Sequence, residues 1–473
     1  MNKNKELIKN TIIIFIGKFC TQFISFILVP IYTNYLIASD YGYIDLIQTY
    51  ITLLVPILLL RFDSGIFRFL IDERENEKGK KKIISNVLIF LFIQIAIFII
   101  IFSTIARFVS IKYCYAIIVN VIFMALSNIL LQTARGIGDN IGYSIASIIA
   151  GITTIVFNMI FIVYMHLSGM YILYSSGIAN ILCSLFLIYR NKIFCYVKLK
   201  NFDKEKFKSM LKYSLPMIPD GLSWWVVNVS DRTIISILIN TASNGIYAVS
   251  SKFSNILSSL FQIFNMSWQE SASMHINDED RESFFSGVMN TTYLIFFSIC
   301  IMILVCIPFL FYFWIGEEYK IAFKFIPILL LGNLFNAIAN ITGGVYIAKK
   351  ETKQVARTTM LAAILNIIIN LIMIRKFGLY AAAISTLISY VVVAVYRYVD
   401  VKKYVNMKLK PKNFILTMLM FIFSSIVYYI NKMSLNIINL CIIVILVLII
   451  NRENIKIVLN KVIGKLRHNF KKV

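Results

Sequence analysis

Hydrophobic runs of about 20 residues, each long enough to cross a lipid bilayer, recur from one end of the chain to the other. In hydrocarbon a backbone must satisfy its own polar groups, which a helix of that length does internally. The balance agrees: 59% of the 473 residues are hydrophobic and 15% charged, where a soluble chain carries roughly a quarter charged residues. The sequence therefore predicts an all-α integral membrane protein with no room for a sizeable soluble domain.

The breaks between runs predict about fourteen transmembrane helices. They fall near 10–37, 42–70, 83–106, 114–134, 142–165, 170–189, 213–239, 245–269, 285–313, 325–347, 357–374, 379–396, 413–430 and 435–451. The first run is longer than the apolar core of a signal peptide and reads as a retained helix. Pro30, Pro216 and Pro219 fall in the first and seventh spans and are expected to bend them. The seven cysteines form no CxxC pair and mostly lie in or beside apolar runs, which suits small core residues. Three scattered histidines offer no metal-ligand spacing.

Net charge is +24, and its distribution explains it. With the N-terminus in the cytoplasm, the inside segments hold 35 of the 47 Lys and Arg residues and the outside segments 7. That asymmetry is the positive-inside signature. It places both termini in the cytoplasm and sets the basic loops against anionic lipid rather than nucleic acid.

The chain also repeats itself. ASDYGY (Ala38–Tyr43) precedes helix two and ASNGIY (Ala242–Tyr247) precedes helix eight; Gly169–Tyr171 and Gly378–Tyr380 open helices six and twelve; Asn158 in helix five has a counterpart in Asn370 in helix eleven. The matches keep nearly one register, as a duplicated six-helix unit would. An even number of crossings makes the two copies parallel. This predicts an N-lobe over 1–190, a cytoplasmic linker over 191–212, a C-lobe over 213–400, and two last helices with a basic tail over 401–473.

Five basic residues remain inside the predicted spans: Lys18, Arg61, Arg68, Arg232 and Lys252. All lie on helices one, two, seven and eight, the first two of each repeat. A charge at the centre of a membrane helix costs about 2.5–3.5 kcal/mol or more, so such groups face a wet cavity or a partner. Arg61, Ser64, Gly65 and Arg68 share one face of a continuous helix two. Lys18 and Gln22 share a stripe on helix one, and Lys252, Asn255, Ser259 and Gln262 one on helix eight; Asn228 on helix seven adds to the polar lining. The sequence thus predicts one cationic cavity suited to an anionic ligand, with Arg68 shallow enough to snorkel instead. Asp63, Asp220 and Asp231 are the nearby acids, read either as ion-pair partners or as sites coupled to a proton or sodium gradient. No cofactor or metal is expected.

The stretch Leu7–Phe69, with Pro30-x-Tyr32-Thr33, Tyr41-Gly42 and the Asp63/Arg68 pair, resembles the opening of Wzx-type polysaccharide (O-antigen and capsule repeat-unit) flippases. These belong to the multidrug/oligosaccharidyl-lipid/polysaccharide exporter superfamily. Arg61 departs from that pattern, where a small or apolar residue is usual. The resemblance implies two six-helix lobes rocking about a V-shaped central cavity, plus two C-terminal helices. It implies a bacterial inner-membrane flippase that moves polyprenyl-pyrophosphate-linked oligosaccharide to the outer leaflet, beside a polysaccharide polymerase. Pyrophosphate and acidic sugars need cationic partners, which fits the buried basic residues. A lipid II flippase and a cation-coupled multidrug exporter of the same superfamily are the alternatives. A membrane enzyme is not expected, because the longest outside loop, around Trp314–Lys324, offers no acid–base set; its Glu317–Glu318 pair reads as a solvated loop end.

Overall fold

The computed structural model describes residues 24–109, 111–453 and 456, and of 219–228, 312 and 352 the backbone only. The described residues are helical throughout, with no strand. Twelve helices in chain order lead from the first described residues to Ala348. They are α1 (Ile24–Tyr35), α2 (Ala38–Leu59), α3 (Phe62–Asp72), α4 (Glu77–Phe108), α5 (Cys114–Ile137), α6 (Asn140–Asn158, prolonged by a π-turn over Met159–Tyr164), α7 (Met170–Arg190), α8 (Lys204–Ser214), α9 (Ile218–Leu238), α10 (Thr241–His275), α11 (Arg281–Trp314) and α12 (Ile326–Ala348). The rest are α13 (Thr352–Phe377), α14 (Leu379–Asp400), α15 (Pro411–Ile430) and α16 (Met433–Ile450).

Eleven of the described helices are long and apolar enough to cross a membrane, as a multi-pass protein requires. The described part of α1 is too short, and α9 and α10 fall outside that set. The last two are the helices on which Asp231, Arg232, Lys252 and their polar neighbours sit, so the same side chains that make them interesting lower their hydropathy.

Two features depart from the sequence reading. The second predicted helix, 42–70, is not continuous: it breaks between α2 and α3. The linker, where the sequence reading placed no helix, carries most of α8. That helix is capped by Asp203, whose carboxylate accepts from the Glu205 and Lys206 N–H groups, and it buries Met210 completely. Phe207 of α8 packs on Phe62 of α3 and Phe90 of α4, with ring centroids 5.7 and 5.0 Å away. Lys206 pairs with Glu73 and Lys82 with Asp203 at 2.9 Å. Their hydrogen bonds hold both carboxyls below the usual range, Lys206 acting on Glu73 and Lys82 on Asp203.

The chain packs as two compact units. One holds the described residues up to Ala248 with Gly316–Tyr319; the other holds Val249–Ile315 and the described residues from Lys320. In the first, α9 and the opening turns of α10 pack with α2, so density of contact divides the chain further along than the linker. Polar side chains tie helices to each other, as in hydrocarbon they must. Asn120 of α5 donates to the Leu173 carbonyl of α7 at 2.6 Å, and Ser127 of α5 donates to Asn180 of α7 at 2.7 Å. In the second unit the Trp268 indole donates to the Ile341 carbonyl at 2.9 Å.

That second unit also buries a cation which the sequence reading assigned to the cytoplasmic side. Arg397 is 4% exposed, because α14 continues through it to Asp400. Its guanidinium donates to Thr358 Oγ1 at 2.8 Å, Ala339 O at 3.0 Å and Thr359 Oγ1 at 3.1 Å. Donors aimed at carbonyls and hydroxyls of two neighbouring helices replace the water it lost. Intramembrane charge is therefore not confined to the first two helices of each repeat.

Candidate functional site

The break in helix two builds the first part of the site. Pro56 lies inside α2 and cannot donate to the helix ladder. Four residues later Leu60 (φ 44°) and Arg61 (φ 60°) both adopt the left-handed conformation. Neither is glycine, and each such residue costs about 1–2 kcal/mol. The Leu60 N–H closes α2 on the Ile57 and Pro56 carbonyls, while the Arg61 carbonyl accepts from Ser64 and Gly65 N–H at 3.1 and 3.2 Å to open α3. Irregular backbone at membrane depth is tolerated where it is buried in protein or lines a wet cavity, and strain of this kind gathers at functional positions.

Arg61 therefore sits at a discontinuity and not on a straight helical stripe. Its Nη2 donates to Ser64 Oγ at 3.0 Å, and its Nε lies 3.7 Å from Asp63 Oδ1. That distance is an ion pair and too long for a hydrogen bond. Both atoms are shielded from solvent, and neither makes a hydrogen bond within the chain. The side chains of Arg61 and Asp63 keep 22% and 25% exposure, so the pair is reachable. Arg68 behaves differently: it binds Asp72 one turn on at 2.6 Å, both half-exposed or more. That is a surface pair, and it matches the snorkelling alternative.

The second part lies where the two repeat motifs meet. A Cβ on Gly42 would overlap the Thr241 carbonyl oxygen, and one on Gly245 the Ala38 carbonyl oxygen. ASDYGY and ASNGIY thus pack on each other, backbone to backbone, and Asn244 donates to the Gly42 carbonyl at 2.7 Å. Small residues permit that approach in membranes. Glu318 joins here too: its carboxylate accepts from the Ala38 N–H at 2.9 Å, capping α2 where an anion suits the helix dipole. Glu318 remains exposed, as expected of a loop end, and adds this cap.

One turn deeper, Arg232 of α9 meets Asp45 of α2. The Arg232 Nε to Asp45 Oδ2 distance is 3.0 Å, with side chains 16% and 4% exposed. The approach is too oblique to count as a hydrogen bond for Oδ2, so the contact is chiefly charge on charge. Arg232 Nη1 also donates to Thr49 Oγ1 at 2.9 Å. The neighbouring Asp231, 4% exposed, accepts from the Tyr247 hydroxyl at 3.0 Å.

Asp45, Thr49 and Tyr247 were not singled out from the sequence. Gly42, Asp45 and Thr49 follow the i, i+3, i+7 spacing that marks one helix face, so the same scan that found Arg61 would have reached them. Arg397 lies one residue beyond the expected span 379–396, within the longer α14.

On α10 Lys252 is half-buried, while Asn255 and Gln262 are exposed. The Asn255 side-chain carbonyl accepts weakly from Asn333 at 3.5 Å. These residues and Ser259 belong to the second unit. Lys18 and Gln22 lie outside the described residues, and Asp220 and Asn228 are described by backbone alone. Among the described residues no three His, Cys, Asp or Glu side chains gather as metal ligands.

Comparison with known proteins agrees with this architecture. A lipid II flippase, MurJ, in an inward closed conformation superposes with a TM-score of 0.68 at 18% identity, covering 95% of this chain and 100% of that one. An inward-facing multidrug resistance transporter of the MATE family, MOP superfamily, gives 0.69 at 15% identity over 80% and 93%. A MOP superfamily transporter from Pyrococcus furiosus gives 0.57 at 15% identity over 83% and 93%. At such identities the likeness is one of fold. No curated protein sequence matches the chain. The polysaccharide biosynthesis protein family matches residues 7–269, more than half of the sequence and all of the break, the linker and the repeat contact. The chain belongs to that family of polysaccharide biosynthesis proteins.

Proposed function

We propose that this protein is a flippase for polyprenyl-pyrophosphate-linked oligosaccharide repeat units, working by alternating access in a bacterial inner membrane. The carrying observation is the strained break at Leu60–Arg61, which presents a guanidinium with an unused, shielded Nε on a discontinuous helix. Broken membrane helices recur at transporter binding sites, and a guanidinium grips phosphate oxygens in pairs. Arg61 would hold the pyrophosphate–sugar head on the cytoplasmic side, Ser64 and Asp63 setting its direction. Lys18 and Lys252, with Gln22, Asn228, Asn255, Ser259 and Gln262, are further candidate contacts for the head group, while Arg68, held at the surface by Asp72, is left out of the route. Both termini lie in the cytoplasm in this reading, and the product passes to a polymerase outside.

Arg232 receives a different part from the one its charge first suggested. Its pairing with Asp45 and Thr49 supports a role in holding the repeats together, with Asp231 and Asp220 as candidates for coupling to a proton or sodium gradient. Lipid II transport is a second reading, favoured by full-length similarity to a lipid II flippase; both substrates carry a pyrophosphate.

The test uses purified protein in liposomes containing a fluorescent polyprenyl-pyrophosphate oligosaccharide, following the access of inner-leaflet label to an external quencher. Fast exchange, lost in Arg61→Ala and partly kept in Arg61→Lys, is expected. Unchanged exchange in Arg61→Ala at normal expression removes Arg61 from the route. Lipid II supplied in the same assay separates the two readings.

A further inference from the structure

The segment joining α7 to α8 turns large apolar side chains outward among lysines. Tyr189, at the end of α7, is 88% exposed, Phe194 78%, Leu199 79% and Phe202 44%. This is not slack chain. Ile193 is buried, Ser85 donates to the Tyr196 carbonyl at 2.6 Å, and the Lys198 N–H donates to Ser85 Oγ at 3.3 Å. Asn201 donates to the same Tyr196 carbonyl at 3.1 Å, and Asn86 exchanges two hydrogen bonds with Asp203 at 2.8 and 2.9 Å. Two 3-10 turns, Ile193–Cys195 and Leu199–Asn201, are thus held from the inside with Phe194 and Leu199 facing out.

Charge lies on the same stretch. Lys192, Lys198, Lys200 and Lys208 are exposed and join no ion pair among the described residues, while Lys82 and Lys206 are already matched. The segment starts where α7, a candidate membrane span, ends. Its side chains therefore lie at the depth of the lipid headgroups. Apolar residues that insert shallowly, with lysines reaching phosphate, are what an anionic membrane surface binds. A soluble anion would use the lysines and leave Phe194 and Leu199 in water.

We infer that residues 189–208 form an interfacial arm that lies in the headgroup layer and selects anionic phospholipid. The inference does not depend on which head group the protein transports. Its test uses the full-length protein with Cys195, which is exposed, as the one retained cysteine, carrying a nitroxide in nanodiscs. With phosphatidylglycerol present, the label is expected to relax with oxygen and to be protected from a water-soluble nickel complex. Lipid binding is read in parallel by native mass spectrometry of the unlabelled protein. Replacing Lys192, Lys198 and Lys200 together by Gln should lower the preference for phosphatidylglycerol over phosphatidylcholine by roughly a hundredfold, about fivefold per lysine. A label as open to nickel as a water-exposed loop overturns the inference. So does an unchanged lipid preference in the triple variant, or displacement of phosphatidylglycerol by inorganic pyrophosphate, which would indicate an anion pocket instead of a membrane surface.

Discussion

Removing either partner of the Asp45–Arg232 pair should cost far more than removing both. At 3.0 Å and an effective dielectric of about 20, the gross attraction is about 5.5 kcal/mol. Desolvation of two groups that are 4% and 16% exposed offsets part of it, and Arg232 keeps its bond to Thr49. Breaking a buried pair by deleting one member typically costs about 3–5 kcal/mol, because the other charge is stranded. Residual exposure of Arg232 puts Asp45→Asn near the lower end, about 3 kcal/mol. Arg232→Met strands the more deeply buried acid and should cost about 4 kcal/mol. The double variant Asp45→Leu/Arg232→Met leaves no charge and should cost about 1–2 kcal/mol, giving a coupling of several kcal/mol. Reversible unfolding in mixed micelles with increasing denaturing detergent measures all four proteins. Single variants that each cost under about 1 kcal/mol and add without coupling would refute the reasoning, since the pair would then be too well solvated to act as a lock.

The remaining expectations rest on other parts of the structure. Gly42→Ala drives a methyl into the Thr241 carbonyl, where backbone cannot yield, and should destabilise by about 3 kcal/mol in the same micelle assay. Leu60→Gly removes a left-handed penalty of about 1 kcal/mol and should raise stability with flipping retained, whereas Arg61→Gly should gain similar stability and lose flipping. If both lose flipping equally, the break and not the guanidinium is what transport needs. Acid should loosen the linker. Asp203 and Glu73 have carboxyls lowered by Lys82 and Lys206, so their contribution is complete above the unfolded carboxylate range near pH 4 and fades as pH falls through the lowered values. Protease cutting between α7 and α8 should therefore rise below about pH 4 and stay flat from pH 6 to 8.

Much of this protein follows from one-dimensional pattern. Apolar runs longer than a bilayer demand helices whatever the neighbours do, which is why the all-helical, multi-pass architecture was readable and why its boundaries mostly agree within a few residues. ASDYGY and ASNGIY each carry a glycine where backbone approaches backbone, since a Cβ on Gly42 or Gly245 would overlap a carbonyl oxygen. The sequence also marked Arg61 as costly to bury, since hydrocarbon penalises charge irrespective of fold.

Partners were a different matter. Asp45 looks like any acid near a helix start until α9 brings Arg232 within 3.0 Å. Glu318 and Ala38 are 280 residues apart, and nothing local joins them. Arg397 is solvated by carbonyls and hydroxyls, which a search for opposite charge does not find. The break after Leu59 was hidden because Leu-Arg gives no glycine signal: two residues are held left-handed against their own preference. Hydropathy sums over a segment and so fixes what enters the membrane. Ion pairs, caps and strain depend on which atoms meet across long separations, and only the packed chain decides that.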